Sequence, residues 1–362
     1  MAALHPTRLV AACLSLGDSP DPILDATITS TDCDWPRIFW SAGNHLVTPS
    51  LAGALTRKGL FDRLPTEVQD YLVGLQALNR ERNQALYQAL SAVVARLNDA
   101  DIEPLLLKGA IALLTGQYPG ASDRVLGDLD LLVPGDRLDE ASALAQTIGY
   151  RKAELPMVFP GDQDRMQHAV PLLHPTLPVT LEIHRRMLNN PEDNSRLESG
   201  LKARRLMLEG VGRVQVPDTG TRILHNFLHA QIQDQQRRRR VLNLRQLYEF
   251  AALAKQHADT LDWPSIMNRL RGGHRQAFAE YLGQAESWLG LPYPRTAMRA
   301  PSTPRELWLI EQVERHDVLR RAFAVYSEAL RMPRRLARLP LRLVHTPGWF
   351  PAKFRALRQT RS

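Results

Sequence analysis

Two aspartates one residue apart, Asp128 and Asp130, sit inside the apolar stretch Val125-Leu126-Gly127-Asp128-Leu129-Asp130-Leu131-Leu132-Val133. In an extended strand side chains alternate between faces, so both carboxylates point one way and Leu129 and Leu131 the other. Carboxylates gathered beside apolar neighbours lose hydration and repel each other, and a divalent cation relieves both costs directly. Hard oxygen ligands suit Mg²⁺ or Mn²⁺, with waters and substrate phosphates filling the remaining positions. The competing reading is a solvated or structural pair; the strand-like flanks weigh against it. Upstream, Lys108 closes the run Leu105-Leu106-Leu107 and precedes Gly109. The lysine can reach triphosphate oxygens, and the Gly109 amide at a helix start can donate to an anion. A solvated lysine beside a permissive glycine is the alternative. Arg124 can grip a phosphate or hold Asp128 or Asp130 in place, since guanidinium recognises both anions.

A second strand pattern, Pro178 to Met187, puts Thr180, Glu182 and His184 on one face and Val179, Leu181 and Ile183 on the other. Glu182 follows Asp130 by 52 residues, room for about two intervening strands, so the segments carrying the acids can be neighbours in one sheet. His184 can contact substrate phosphate or accept a proton; a hydrogen-bonded structural histidine is the alternative. His225 and His229 have the i, i+4 spacing of zinc proteases, but Asn226 stands where glutamate is required and no third ligand is evident, which argues against a metal there.

The elements that must hold these residues follow from periodicity. Residues 1–34 read as a poorly ordered lead-in, and 35–100 as a helical N-terminal cap with apolar positions at helical spacing, among them Val68, Leu72, Leu86, Leu90, Val93 and Leu97. Residues 101–190 form a core of strands and helices: a strand at 105, a helix over 139–149 closed by Gly149, and strands over 150–157, 167–173 and 178–187. From 195 the chain turns helical, with a hairpin-like break over 210–217 and a polar run over 231–240 read as a helix connection, making 191–330 a helical C-terminal domain. The expected fold class is α+β, a small mixed sheet with helical extensions at both ends.

Composition excludes several classes. The 44% hydrophobic and 23% charged shares are those of a globular protein, and no apolar run approaches the ~20 residues of a membrane helix. Cys13 and Cys33 lack metal-ligand spacing and read as free thiols in a reducing cytoplasm. Of 46 Lys and Arg residues, nine fall in 331–362 with no acid, leaving 37 against 38 acidic residues before them. The body is therefore close to neutral and the net charge of +8 belongs to the tail. That argues against nucleic acid as a partner, which needs basic residues spread over one face. The basic tail, with Leu336, Leu339, Trp349 and Phe350 among its cations, can touch a membrane surface or remain a solvated extension.

Lys108-Gly109, Arg124 and Gly127-Asp128-Leu129-Asp130-Leu131-Leu132-Val133, with the later Glu182-x-His184, resemble the polymerase-β-type nucleotidyltransferase superfamily. More narrowly, they resemble a bacterial nucleotidyltransferase family within it that carries Lys-Gly, Arg-x-x-Gly-Asp-x-Asp and an acid-x-His. The similarity covers about residues 35–250 and is strongest over 104–134. Two departures are visible: Lys108-Gly109 stands where the superfamily commonly has Gly-Ser, and Glu182 where the branch usually has Asp. The resemblance implies transfer of a nucleoside monophosphate from an NTP such as ATP to a hydroxyl of an unidentified small molecule or protein. It implies Mg²⁺ or Mn²⁺ held by Asp128, Asp130 and Glu182 in a two-metal mechanism, with Lys108, Gly109, Arg124 and His184 serving the nucleotide. Asp128→Asn or Asp130→Asn should then abolish transfer with little loss of fold. The alternative function is a non-catalytic nucleotide-binding or regulatory relative.

Overall fold

The computed structural model describes residues 5–17, 21–115, 122–154, 167–295 and 304–330. Pro6 and Pro22 occupy first helical turns, where the missing N–H costs nothing and the fixed φ suits entry. They open α1 (Pro6–Leu14) and α2 (Pro22–Ile28), so helices stand where a poorly ordered lead-in was expected. Asp21 caps α2 by accepting from the Ile23 N–H at 2.9 Å, and Leu9, Val10, Leu24 and Ile28 are buried. α3 (Trp35–Asn44) and α4 (Thr48–Arg57) follow. α5 (Thr66–Asn98) then runs 33 residues without an internal proline, long enough for one helix to span much of the molecule.

The sheet elements are β1 (Leu105–Leu107), β2 (Asp128–Leu132), β3 (Arg151–Lys152), β4 (Leu172–Leu173), β5 (Thr180–His184), β6 (Ala203–Leu208) and β7 (Gly212–Pro217). Among them lie α6 (Lys108–Thr115), α7 (Leu138–Gln146) and α8 (Pro191–Ser199). The strand order is β3-β4-β5-β2-β1-β7-β6, a mixed seven-stranded sheet. Of the strand expected over 150–157 only β3 is present, and 155–157 fall outside the described residues. The strand expected over 167–173 reduces to β4, with His168 making an isolated bridge to His184. The break expected over 210–217 is instead a β6–β7 hairpin whose second strand lies parallel to β1. Gly210 and Gly212 supply its turn with φ of 70° and 119°, conformations that a side chain resists. The sheet therefore reaches past residue 190, into the stretch expected to be helical.

Two pairings place the candidate residues. β2 runs parallel to β5 with Asp128 opposite Thr180, Asp130 opposite Glu182 and Leu132 opposite His184. β1 runs antiparallel to β2 with Leu107 opposite Asp130. Opposed residues share a face, so Leu107, Asp128, Asp130, Glu182 and His184 all look to one side. The other side carries Leu106, Leu129, Leu131, Leu181 and Ile183, which join Leu86, Leu90, Val93 and Leu97 of α5 in one core cluster.

The acid-bearing side looks toward the C-terminal helices: α9 (Thr219–Phe227), one π turn (Leu228–Gln233), α10 (Gln236–Arg239), α11 (Leu244–Gln256), α12 (Trp263–Asn268), α13 (Gly272–Leu289), α14 (Pro304–Arg315) and α15 (Asp317–Ala329). Leu105 and Leu107 enter a second core with Phe227, Phe250, Phe278 and Tyr281. Phe227 meets Phe278 edge to face at 5.0 Å between centroids, and each buried ring contributes roughly 2–3 kcal/mol of transfer free energy. The fold is thus a small mixed sheet between helical extensions. No helix among the described residues is long and apolar enough to cross a membrane. Cys13 and Cys33 form no disulfide, and the basic tail over 331–362 lies outside the described residues.

Candidate active site

Where β1 gives way to α6, Lys108 adopts a left-handed backbone with φ of 46°, a conformation costing a lysine on the order of 1 kcal/mol. The turn directs its Nζ to Asp130 Oδ1 at 2.8 Å. The same oxygen accepts from His184 Nε2–H, also at 2.8 Å. Asp130 is wholly buried. Burial works to raise its pKa, but Lys108 and His184 outweigh it and hold the carboxyl well below the usual range. Its second oxygen, Oδ2, is buried without a hydrogen-bond partner among the described residues. Burial also acts to lower the Lys108 pKa, and the charges of Asp130, Asp128 and Glu182 overcome it, so the ammonium is held charged. Asp128 shifts the opposite way from Asp130: burial and then the Asp130 charge raise it, with Lys108 offsetting only part.

Glu182 Oε2 lies 3.6 Å from His184 Nε2 and 3.9 Å from His168 Nε2. The His168 and His184 rings meet edge to face at 5.2 Å. Asp130, Glu182 and His184 each offer a ligand atom, all within 4.8 Å of one another. Asp128, expected as a third ligand, shares their face but falls outside that compact group. The donor set is mostly carboxylate oxygen, and the orphaned Asp130 Oδ2 needs a positive partner, so these residues fit a hard divalent cation. Asp130 is buried and paired on both sides, so Asp130→Asn is expected to cost stability as well as transfer, since breaking a buried pair costs about 3–5 kcal/mol.

Arg124 is held by a partner that sequence reasoning missed. Its Nη2 donates to Glu249 Oε2 of α11 at 2.8 Å. Burial favours a neutral Glu249, yet Arg124, Arg245 and Arg222 together lower its pKa. The Arg124 carbonyl accepts from Asn79 and Asn83 Nδ2, each at 3.0 Å, and Arg82 Nη2 donates to the Leu126 carbonyl at 2.6 Å. One helix, α5, thereby fixes the approach to β2. Gly109 lies beneath the guanidinium; a Cβ there would collide with Arg124 and Leu126, so glycine is required by close approach.

A cavity of about 280 Å³ opens beside this face. Asp128 lines it from β2, Lys108 from the start of α6 and Arg124 from the loop before β2, with Arg222, His225, His229, Asp234, Arg245 and Glu249 on the C-terminal helices and the turn between them. His225 is buried, and its Nε2–H donates to the Met187 carbonyl at 3.1 Å. Burial, reinforced by His229 and Lys108, pushes its pKa down to about 3. His229 Nδ1 lies 3.2 Å from Asp234 Oδ2. Neither histidine belongs to a metal-holding group among the described residues. His168, Arg222, Arg245, Glu249 and Asp234 join the site without a local sequence signal; tertiary packing alone brings them there.

A family model described as "Uncharacterised nucleotidyltransferase" matches residues 31–290 of the chain. No curated protein matches it. Two solved structures are similar at low identity. The solution structure of the antibiotic-resistance factor ANT(2'')-Ia is 12% identical, with 57% of this chain and 99% of that one covered and a TM-score of 0.36. The crystal structure of JHP933 from Helicobacter pylori is 15% identical, with 72% and 98% covered and a TM-score of 0.32.

Proposed function

The chain belongs to the family of uncharacterised nucleotidyltransferases, and from that premise we propose that it moves a nucleoside monophosphate from an NTP to a hydroxyl, using divalent cations held on the acid face of the sheet. The observation that supports this most is the β2–β5 register, which sets Asp130 beside Glu182 with Asp128 on the same face. Asp128, Asp130 and Glu182 would hold two cations, Mg²⁺ or Mn²⁺, with His184 at the edge of the group. Such ions supply charge neutralisation at a triphosphate and lower the pKa of a bound hydroxyl.

The chain's own groups do the positioning. Lys108 offers a charged ammonium at the rim of the acids, and the Gly109 backbone leaves room for Arg124 to face the cavity. Glu249 fixes the guanidinium plane, so its orientation costs little when a phosphate arrives. The acids lie on the sheet core of 101–190, extended by β6–β7. The helical region of 191–330 forms the opposite wall, which makes it the side that selects the acceptor, a small molecule or a protein hydroxyl. The helices of 35–100 brace the approach to β2 through Asn79, Arg82 and Asn83.

The test is incubation of the full chain with each α-labelled NTP and Mg²⁺ or Mn²⁺, reading pyrophosphate release and label transfer to the protein or to added small molecules. Release that disappears in Asp128→Asn and Glu182→Gln supports the reading. Nucleotide binding without release would make the chain a non-catalytic relative, and full release by either variant would remove the acids from the mechanism.

A further inference from the structure

The transferase reading leaves one task unassigned: the acceptor hydroxyl must lose a proton as its oxygen attacks the α-phosphorus. Glu182 belongs to the group with Asp130 and His184 and is not among the residues that line the cavity. His225 is unsuited as well. It is buried, and its Nε2–H is spent on the Met187 carbonyl.

The π turn over Leu228–Gln233 offers another group. In an α-helix the neighbours on one face are three and four residues apart, so residues 229 and 234 would diverge. Here the Asp234 N–H reaches the His229 carbonyl at 2.8 Å, an i to i+5 bond that folds one residue back over the other. Their side chains meet as a result, His229 Nδ1 to Asp234 Oδ2 at 3.2 Å. Both line the cavity that also contains Lys108 and Asp128. His229 is partly shielded, at 18% side-chain exposure. A carboxylate that accepts from Nδ1–H orients the ring and leaves Nε2 as the nitrogen open to a proton.

We propose that His229 is the general base toward the acceptor and that Asp234 is its positioning residue, in the reaction already inferred for this cavity. The hydroxyl oxygen forms its bond to the α-phosphorus while its proton passes to His229 Nε2. The bond from the α-phosphorus to the bridging oxygen breaks, and its electron pair leaves with pyrophosphate. The imidazolium then returns its proton to solvent. The dyad exists because the backbone departs from α geometry at one turn, which gives that departure a function.

The experiment measures pyrophosphate release from the NTP the full chain uses best, with water and with excess glycerol as hydroxyl donors, in wild type, His229→Ala, His229→Gln, Asp234→Asn and Asp234→Glu. Nucleotide affinity is followed in parallel with a fluorescent ATP analogue. The expected result is a fall in kcat of about 10²-fold or more for both His229 variants, with KM and analogue affinity unchanged and partial recovery of His229→Ala by added imidazole. Asp234→Asn should fall less, and Asp234→Glu should restore most of it. Two results overturn the assignment: turnover by His229→Gln within about twofold of wild type, or a loss in folded His229→Ala that imidazole leaves untouched while analogue binding falls with it. The two readings separate cleanly. A chain that releases no pyrophosphate from any NTP overturns the transferase reading together with the base, whereas equal turnover with and without His229 overturns the base alone.

Discussion

Asp128 and Asp130 face the same way but live in opposite electrostatic circumstances. Asp130 is buried between Lys108 and His184 and is stabilised as an anion. Asp128 is raised by burial and by Asp130 and makes no ion pair among the described residues. Removing its charge in Asp128→Asn should therefore increase stability by about 1 kcal/mol while eliminating transfer, the trade expected of a functional group held at a cost. Urea titration in EDTA, run beside the pyrophosphate assay, reads both; a destabilised variant would refute the electrostatic account. His225 gives a pH dependence with a defined sign. Its pKa drops from the ordinary 6.5 to about 3 in the fold. Below pH 6.5 the unfolded chain binds a proton that the native state refuses, so this group's share of stability is complete above 6.5 and is lost as pH falls toward 3. His225→Gln, which keeps a donor for the Met187 carbonyl, should flatten the decline of thermal midpoint over that range.

At the level of elements, the junction of β1 and α6 is the critical piece. Gly109→Ala would drive a methyl into Arg124 and Leu126, at about 1–3 kcal/mol in a packed site, and should weaken nucleotide binding together with the urea midpoint. If the alanine variant matched wild type in both, Gly109 would have no packing role. Much of this layer could be read from sequence. The alternation of acids and leucines marked β2 and the Thr180-Glu182-His184 face marked β5, while the helix expected over 139–149 is α7, which ends at Gln146, three residues before Gly149. The Asp21-Pro22 step is an ordinary helix start that polar surroundings obscured, and the proline at residue 6 opens a short apolar helix whose face, with Leu9, Val10 and Leu14, is buried. Other features had no local signature. The β6–β7 hairpin joins the sheet because β1 offers it an edge, and a π turn is a hydrogen-bond pattern that no residue pair announces.

Across the whole molecule, Arg124 and Glu249 link the sheet to the C-terminal helices over a separation of 125 residues. With side chains only 10% and 21% exposed, the pair belongs to the buried kind. Truncating one partner then costs more than replacing both with apolar groups of similar volume. Glu249→Ala should destabilise by about 3 kcal/mol, whereas Arg124→Met with Glu249→Leu should lose less, although the double variant gives up the guanidinium that faces the cavity. Equal losses, with no coupling in the cycle, would mean the contact contributes nothing across the two regions.

That link also joins parts of the chain that are made far apart in time, since 125 residues separate them. The ribosome delivers Lys108, the aspartates, Glu182 and His184 well before α11, so the acid cluster can gather while Arg124 still lacks the Glu249 carboxylate that aims it. A polypeptide released early, short of residue 249, would carry a charged cluster with one wall of its chamber missing. Residues beyond that point, Phe250 and Leu253, also line the cavity, so its wall is finished only by the later turns of α11.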